Sequence, residues 1–182
     1  MRVGMMKYGP IVVAALLALS SCVTTGRYSE KEIELYDRAY ALYSVGNYGE
    51  ATVVLDRLLS INAKNEYAYR LRSMILWVTD KPESAIQDLE SARKIDPRSA
   101  IIAYNLGCVY ESVGDLDKAI DSYSSAVRID PQYAYAWLNR ANAYMKKGDA
   151  KAALADYRKF IQLSSEQRKD VQSLIDKLEG GA

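Results

Sequence analysis

Apolar and small residues between residues 32 and 167 recur every 34 positions, and four rows of that length align without a gap. One column reads Ala51, Ala85, Ala119, Ala153, and ten residues on another reads Ile61, Ile95, Ile129, Leu163. A third holds the small residues Ala39, Ser73, Gly107 and Ala141, followed three residues later by Leu42, Leu76, Tyr110 and Tyr144. Inside each row the apolar positions fall three and four apart on two short segments, which is helical spacing. Gly46, Asp80, Gly114 and Gly148 separate the segments. Each row therefore predicts helix, turn, helix.

The punctuation agrees with that pattern. Glycine suits the left-handed residue that ends a helix, Asp115 and Asp149 can cap the next one, and Pro97 and Pro131 stand where the second helix must stop. Ser29 with Glu32 three residues later reads as a capping box that opens the first helix. After the fourth row, Val171, Leu174, Ile175 and Leu178 form a final apolar stripe, with Arg168, Lys169, Asp170, Asp176 and Lys177 on the other faces. No single pair of helices can bury its apolar face alone, so the pairs must stack into one continuous core. The predicted fold is an all-α superhelix, or solenoid, of four helix-turn-helix repeats at 32–65, 66–99, 100–133 and 134–167, closed by a capping helix and tail at 168–182.

Ala103, Leu106, Gly107, Tyr110, Ala119, Tyr123, Ala126 and Pro131 in the third row resemble the tetratricopeptide repeat signature. The fourth row restores the tryptophan of that signature as Trp137. Three rows depart from it by carrying Arg38, Arg72 and Arg140 where leucine is usual; their stems can pack while the guanidinium reaches solvent or a carboxylate. The first row ends in Ala63 and the last in Ser165 where proline is usual.

The start of the chain adds a second theme. Arg2 and Lys7 precede a short apolar run, Ile11 to Leu19, closed by Leu19-Ser20-Ser21-Cys22. The run is too short to span a bilayer and has the layout of a secretory signal. Its last four residues resemble the lipobox of bacterial lipoproteins. That resemblance implies a signal peptide at 1–21 and, over 22–31, a diacylglycerol-modified Cys22 as the first mature residue followed by its tether. Nine residues of tether hold the body within about 30 Å of the membrane, at roughly 3.4 Å each. Val23, in place of an aspartate that some bacteria use for inner-membrane retention, points to the outer membrane facing the periplasm. With Cys22 lipidated, Cys108 has no thiol to pair with and no intrachain disulfide is expected.

The 182 residues are 49% apolar and 26% charged, enough for an ordinary core. Without residues 1–21 the chain has 22 Lys+Arg against 23 Asp+Glu, with both signs interleaved, which argues against nucleic acid as a partner. There is no histidine, which removes the commonest general base and most zinc sites. No phosphate-binding loop, dinucleotide fingerprint or G-x-S-x-G elbow occurs. We expect no catalytic residue, metal or cofactor, and an inert, buried Cys108.

Function must then come from a surface. The tetratricopeptide resemblance implies a concave groove lined by the first helix of each repeat. Carried over position by position, it gives candidate partner-binding residues Tyr36, Tyr40, Tyr67, Arg70, Trp77, Tyr104, Asn105, Tyr135, Asn139 and Asn142. Tyr, Trp and Arg supply contact area at protein interfaces. Asn105 and Asn139 hold the same place in successive rows, where an amide can donate to and accept from an extended backbone. The lysines needed to read a free C-terminal carboxylate are replaced by Met74 and Tyr135. The implied role is a membrane-anchored adaptor that holds a segment or helix of another envelope protein, in outer-membrane protein insertion, pilus assembly or control of wall enzymes. The alternative is an accessory to periplasmic solute binding, with the aromatic groove holding a small ligand or docking a solute receptor.

Overall fold

The computed structural model describes residues 27–164 and 168–180. The signal sequence, Cys22, the first part of the tether and Ser165 lie outside the described residues. Every regular element among the described residues is an α-helix: α1 (Glu30–Ser44), α2 (Tyr48–Ile61), α3 (Glu66–Val78), α4 (Pro82–Ile95), α5 (Ala100–Ser112), α6 (Leu116–Ile129), α7 (Ala134–Lys147), α8 (Ala150–Leu163) and α9 (Arg168–Gly180). The chain divides after Ala63 into two compact units.

The first unit is the hairpin α1–α2. Its capping box forms as the sequence predicts: Ser29 Oγ accepts from the Glu32 backbone while Glu32 accepts from the Ser29 backbone at 2.9 Å. The other Glu32 carboxylate oxygen accepts from Asn62 Nδ2 at 2.6 Å, which ties the start of α1 to the end of α2. Leu35, Ala39, Ala51, Leu55 and Leu58 are buried between the helices.

The second unit stacks three hairpins, α3–α4, α5–α6 and α7–α8, with α9 against α8. Gly114 and Gly148 turn at φ near +81°, and Asp80 does the same work at φ +60°. Aspartate is among the few residues with a side chain that enters this region routinely. Asp115 and Asp149 cap α6 and α8 by accepting from the Lys118 and Ala152 backbones, so each helix begins at the residue where its first amides find a partner. Pro97 and Pro131 follow helices that end at Ile95 and Ile129.

The column of small residues has a steric cause in the third hairpin, where a methyl group added at Gly107 would overlap the Tyr123 ring. In the last hairpin, Leu138, Ala141, Ala153, Tyr157 and Phe160 form one core with Val171 and Ile175 of α9. Leu174 departs from the expected stripe: it is 39% exposed, on the shoulder of the capping helix.

The unusual arginines divide into two kinds. Arg72 and Arg140 each form a two-pronged ion pair with the aspartate sixteen residues on: Arg72 with Asp88, and Arg140 with Asp156, at 2.7–2.8 Å. Arg38 is exposed, and Val54 stands sixteen residues after it.

Candidate partner-binding face

Helices α3, α5 and α7 lie side by side in the second unit. Trp77 Nε1 on α3 donates to Ser112 Oγ on α5 at 2.9 Å. On α7, Asn139 Nδ2 donates to the Tyr104 hydroxyl of α5 at 3.0 Å, and Lys146 donates to Glu111 of α5 at 2.7 Å. Successive repeats are thus laced along this face.

The centre of the face is α5, whose residues Ile102 to Val109 are all buried. Tyr104 packs at 4.9 Å between ring centroids against Tyr133, from the loop before α7, and at 5.8 Å against Tyr123 of α6. Burial pushes all three phenols above the usual tyrosine range, so they act as neutral hydrogen-bonding groups. Tyr123 donates to Glu111 at 2.8 Å. Cys108 lies among Tyr104, Tyr123 and Asn139, and burial pushes its thiol up to about 11. Such a thiol is protonated at neutral pH and a poor nucleophile.

Two polar groups on this face lack what a buried polar group needs. Asn105 is 5% exposed, yet neither its amide nitrogen nor its amide oxygen has a hydrogen-bond partner in the protein. Arg70, on α3, has a buried Nε without a partner, and its guanidinium lies 5.6 Å from the Tyr67 ring. A buried amide with no partner costs about 1–3 kcal/mol, so an unsatisfied one in a folded protein calls for an explanation.

The remaining candidates have varied environments. Asn142 accepts from the Tyr157 hydroxyl at 2.7 Å, and Tyr135 packs on Phe160 at 6.3 Å between ring centroids. In the first unit, Tyr36 is 5% exposed and stacks on Tyr40, which continues to Tyr43 and Tyr48 at centroid distances of 6.3 and 5.8 Å. Tyr133, Ser112 and Lys146 belong to the face and were not among the sequence candidates. Ser112 and Lys146 each lie 35 residues from their partners across one repeat, and that spacing is a signal for finding them.

An all-helical stack of hairpins with one face of aromatic and amide groups defines a helical-repeat protein. Family models confirm the kind of repeat: one described as "TPR repeat" matches residues 112–148, and one described as "Tetratricopeptide repeat" matches residues 134–166. No curated protein matches this chain in sequence. Among solved structures, a crystal structure of MamA superposes with a TM-score of 0.70 at 22% identity, covering 93% of this chain and 98% of that one. MamA from Desulfovibrio magneticus gives 0.67 at 22% identity, covering 85% and 96%. A tetratricopeptide repeat protein from Parabacteroides merdae gives 0.71 at 20% identity, covering 84% and 62%. At these identities the likeness shows the fold, a stack of tetratricopeptide-type helical hairpins, and the family models find such repeats at residues 112–166.

Proposed function

We propose that this protein is a lipid-anchored adaptor of the bacterial cell envelope, which holds an extended segment or helix of another envelope protein against α3, α5 and α7 and catalyses nothing. The observation that carries the reading is Asn105. Its amide holds a buried donor and acceptor with no internal partner among the described residues, and an opening of the face that uncovers them offers the complement of one peptide unit of an extended chain. Arg70 on α3 adds a cation to the proposed face. The anchor rests on the resemblance of Leu19 to Cys22 to a lipobox, and no helix among the described residues is long and apolar enough to cross a membrane.

Two experiments test it. In-cell crosslinking of wild type and Asn105→Leu should capture one envelope protein with the first and lose it with the second. Equal capture by both refutes binding through α5. Labelled palmitate should enter wild type and not Cys22→Ala; incorporation into both, or neither, refutes the anchor. The alternative, a small ligand held by the groove aromatics, gains if no protein is captured while Asn105→Leu still changes the growth phenotype.

A further inference from the structure

A cleft of about 400 Å³ opens on the other side of the second unit, between α4 and α6, with α5 as its floor. Its origin is legible one repeat further on. Between α6 and α8 the corresponding space is filled by three side chains. Trp137 donates to the Pro131 carbonyl at 3.0 Å, and Arg140 lies 4.8 Å from the Trp137 ring. Arg140 also bridges Asp156 of α8 and Ser124 of α6. The second repeat holds the same trio as Tyr69, Arg72 and Asp88, with Arg72 at 5.5 Å from the Tyr69 ring.

In the third repeat the three positions are Ala103, Leu106 and Ser122, and all three line the cleft. An aromatic ring, a guanidinium and a carboxylate are thus replaced by a methyl, an isobutyl and a hydroxymethyl group. The neighbouring repeats therefore show what the space accommodates: a flat ring lying over the first helix, with a charged group beside it.

The rim decides which charge. Arg93 is held by Glu90 at 2.6 Å. Asp121 lines the cleft as a carboxylate with no ion pair among the described residues. Among the described residues Lys94 forms no ion pair, and Arg128 donates only to Ser125 Oγ at 3.2 Å. Lys94 and Arg128 outnumber the one unpaired carboxylate of the rim, Asp121, and leave it net positive beside the space that the missing trio vacates.

We propose that this cleft is a second docking site, which takes an aromatic side chain of a partner polypeptide next to an acidic residue. The ring enters over Ala103 and Leu106, which are 5% and 1% exposed and are uncovered as it seats, and the carboxylate meets Lys94 and Arg128. This site is separate from the face that carries Asn105, so it stands or falls independently of the function proposed above.

The test uses the full chain, isotopically labelled, titrated with the blocked tetrapeptide Gly-Trp-Glu-Gly and followed by backbone amide shifts. Shifts that saturate at millimolar peptide and concentrate on Ser99, Leu106, Ser122 and Ser125 are expected. Gly-Leu-Glu-Gly should bind at least tenfold more weakly, as should Gly-Trp-Gln-Gly. The triple variant Ala103→Trp, Leu106→Arg, Ser122→Asp rebuilds the trio of the fourth repeat and should abolish the shifts. Should that variant fail to fold, Lys94→Gln with Arg128→Gln alters exposed residues only and should weaken binding by the same factor as removing the peptide's acid. The proposal is overturned if no shift appears at the cleft, if the leucine peptide binds as well, or if neither variant changes the titration.

Discussion

Replacing Asn105 by leucine removes two buried polar atoms without opening a cavity, since the two side chains have similar volume. The Asn105 amide is 5% exposed and unpartnered at both ends. Mutational data put the cost of such a buried amide at about 1–3 kcal/mol, and an apolar replacement of the same shape recovers it. Asn105→Leu should therefore stabilise the fold by about 1–3 kcal/mol, and an unfolding midpoint in a domain of this size moves about 2–4 °C per kcal/mol. Urea denaturation followed by circular dichroism, together with a thermal scan, measures both. The same substitution should weaken partner binding, because the peptide unit that met the amide would be left unpaired, a loss of about 1–3 kcal/mol. A variant more stable than wild type that no longer binds is the expected signature of a residue kept for recognition. If Asn105→Leu instead lowers stability by about 1 kcal/mol or more, the amide is satisfied in the free protein and the argument for α5 as the binding helix fails.

Three further outcomes follow from the geometry. Gly107→Ala should destabilise by about 1–3 kcal/mol, because the added methyl meets the Tyr123 ring inside a packed core; an unchanged urea midpoint would refute this. Asp156→Ala should cost about 3–5 kcal/mol by leaving Arg140 half-buried without its partner. The double change Arg140→Leu with Asp156→Ser copies the third repeat and should cost less, a difference read by comparing the two denaturation curves. Cys108 should resist iodoacetamide at pH 8, where a thiol held up to about 11 has roughly one part in a thousand ionised, and should react after unfolding. The unfolded chain releases this proton near the ordinary thiol value of 9 and the folded chain only near 11, so Cys108 favours the fold below that window. Stability should decline as pH rises through it, with Cys108→Ala showing a smaller decline over the same range.

Much of the fold was legible because each row repeats the same solution. The caps at Asp115 and Asp149, the reversals at Gly114 and Gly148, and the stops before Pro97 and Pro131 are local chemistry, which a sequence displays directly. The candidate face was legible as a set of positions but not as a set of environments. Tyr104 and Asn105 occupy adjacent places on one helix; the first finds ring and amide partners and the second finds none, which depends on what α6 and α7 bring opposite them. Tyr133 escaped notice because it precedes α7, outside the helical positions that the repeat pattern ranks. The cleft was hidden for a different reason: the column of Arg38, Arg72 and Arg140 was visible, but its aspartate partners lie sixteen residues away on the other helix of the hairpin. Only the pairing shows that the third repeat lacks the whole trio.

The lacing of α3, α5 and α7 also sets how the binding face responds to its medium. Trp77 to Ser112 and Asn139 to Tyr104 are neutral hydrogen bonds, and dissolved ions leave them almost untouched. Lys146 to Glu111, by contrast, is an ion pair whose lysine is 56% exposed, so added salt weakens it. Salt therefore leaves the Trp77–Ser112 and Asn139–Tyr104 ties in place and weakens the ion pair between the ends of α5 and α7. The far ends of α5 and α7 are thus the part of the face whose hold on one another depends on the salt content of the surrounding medium.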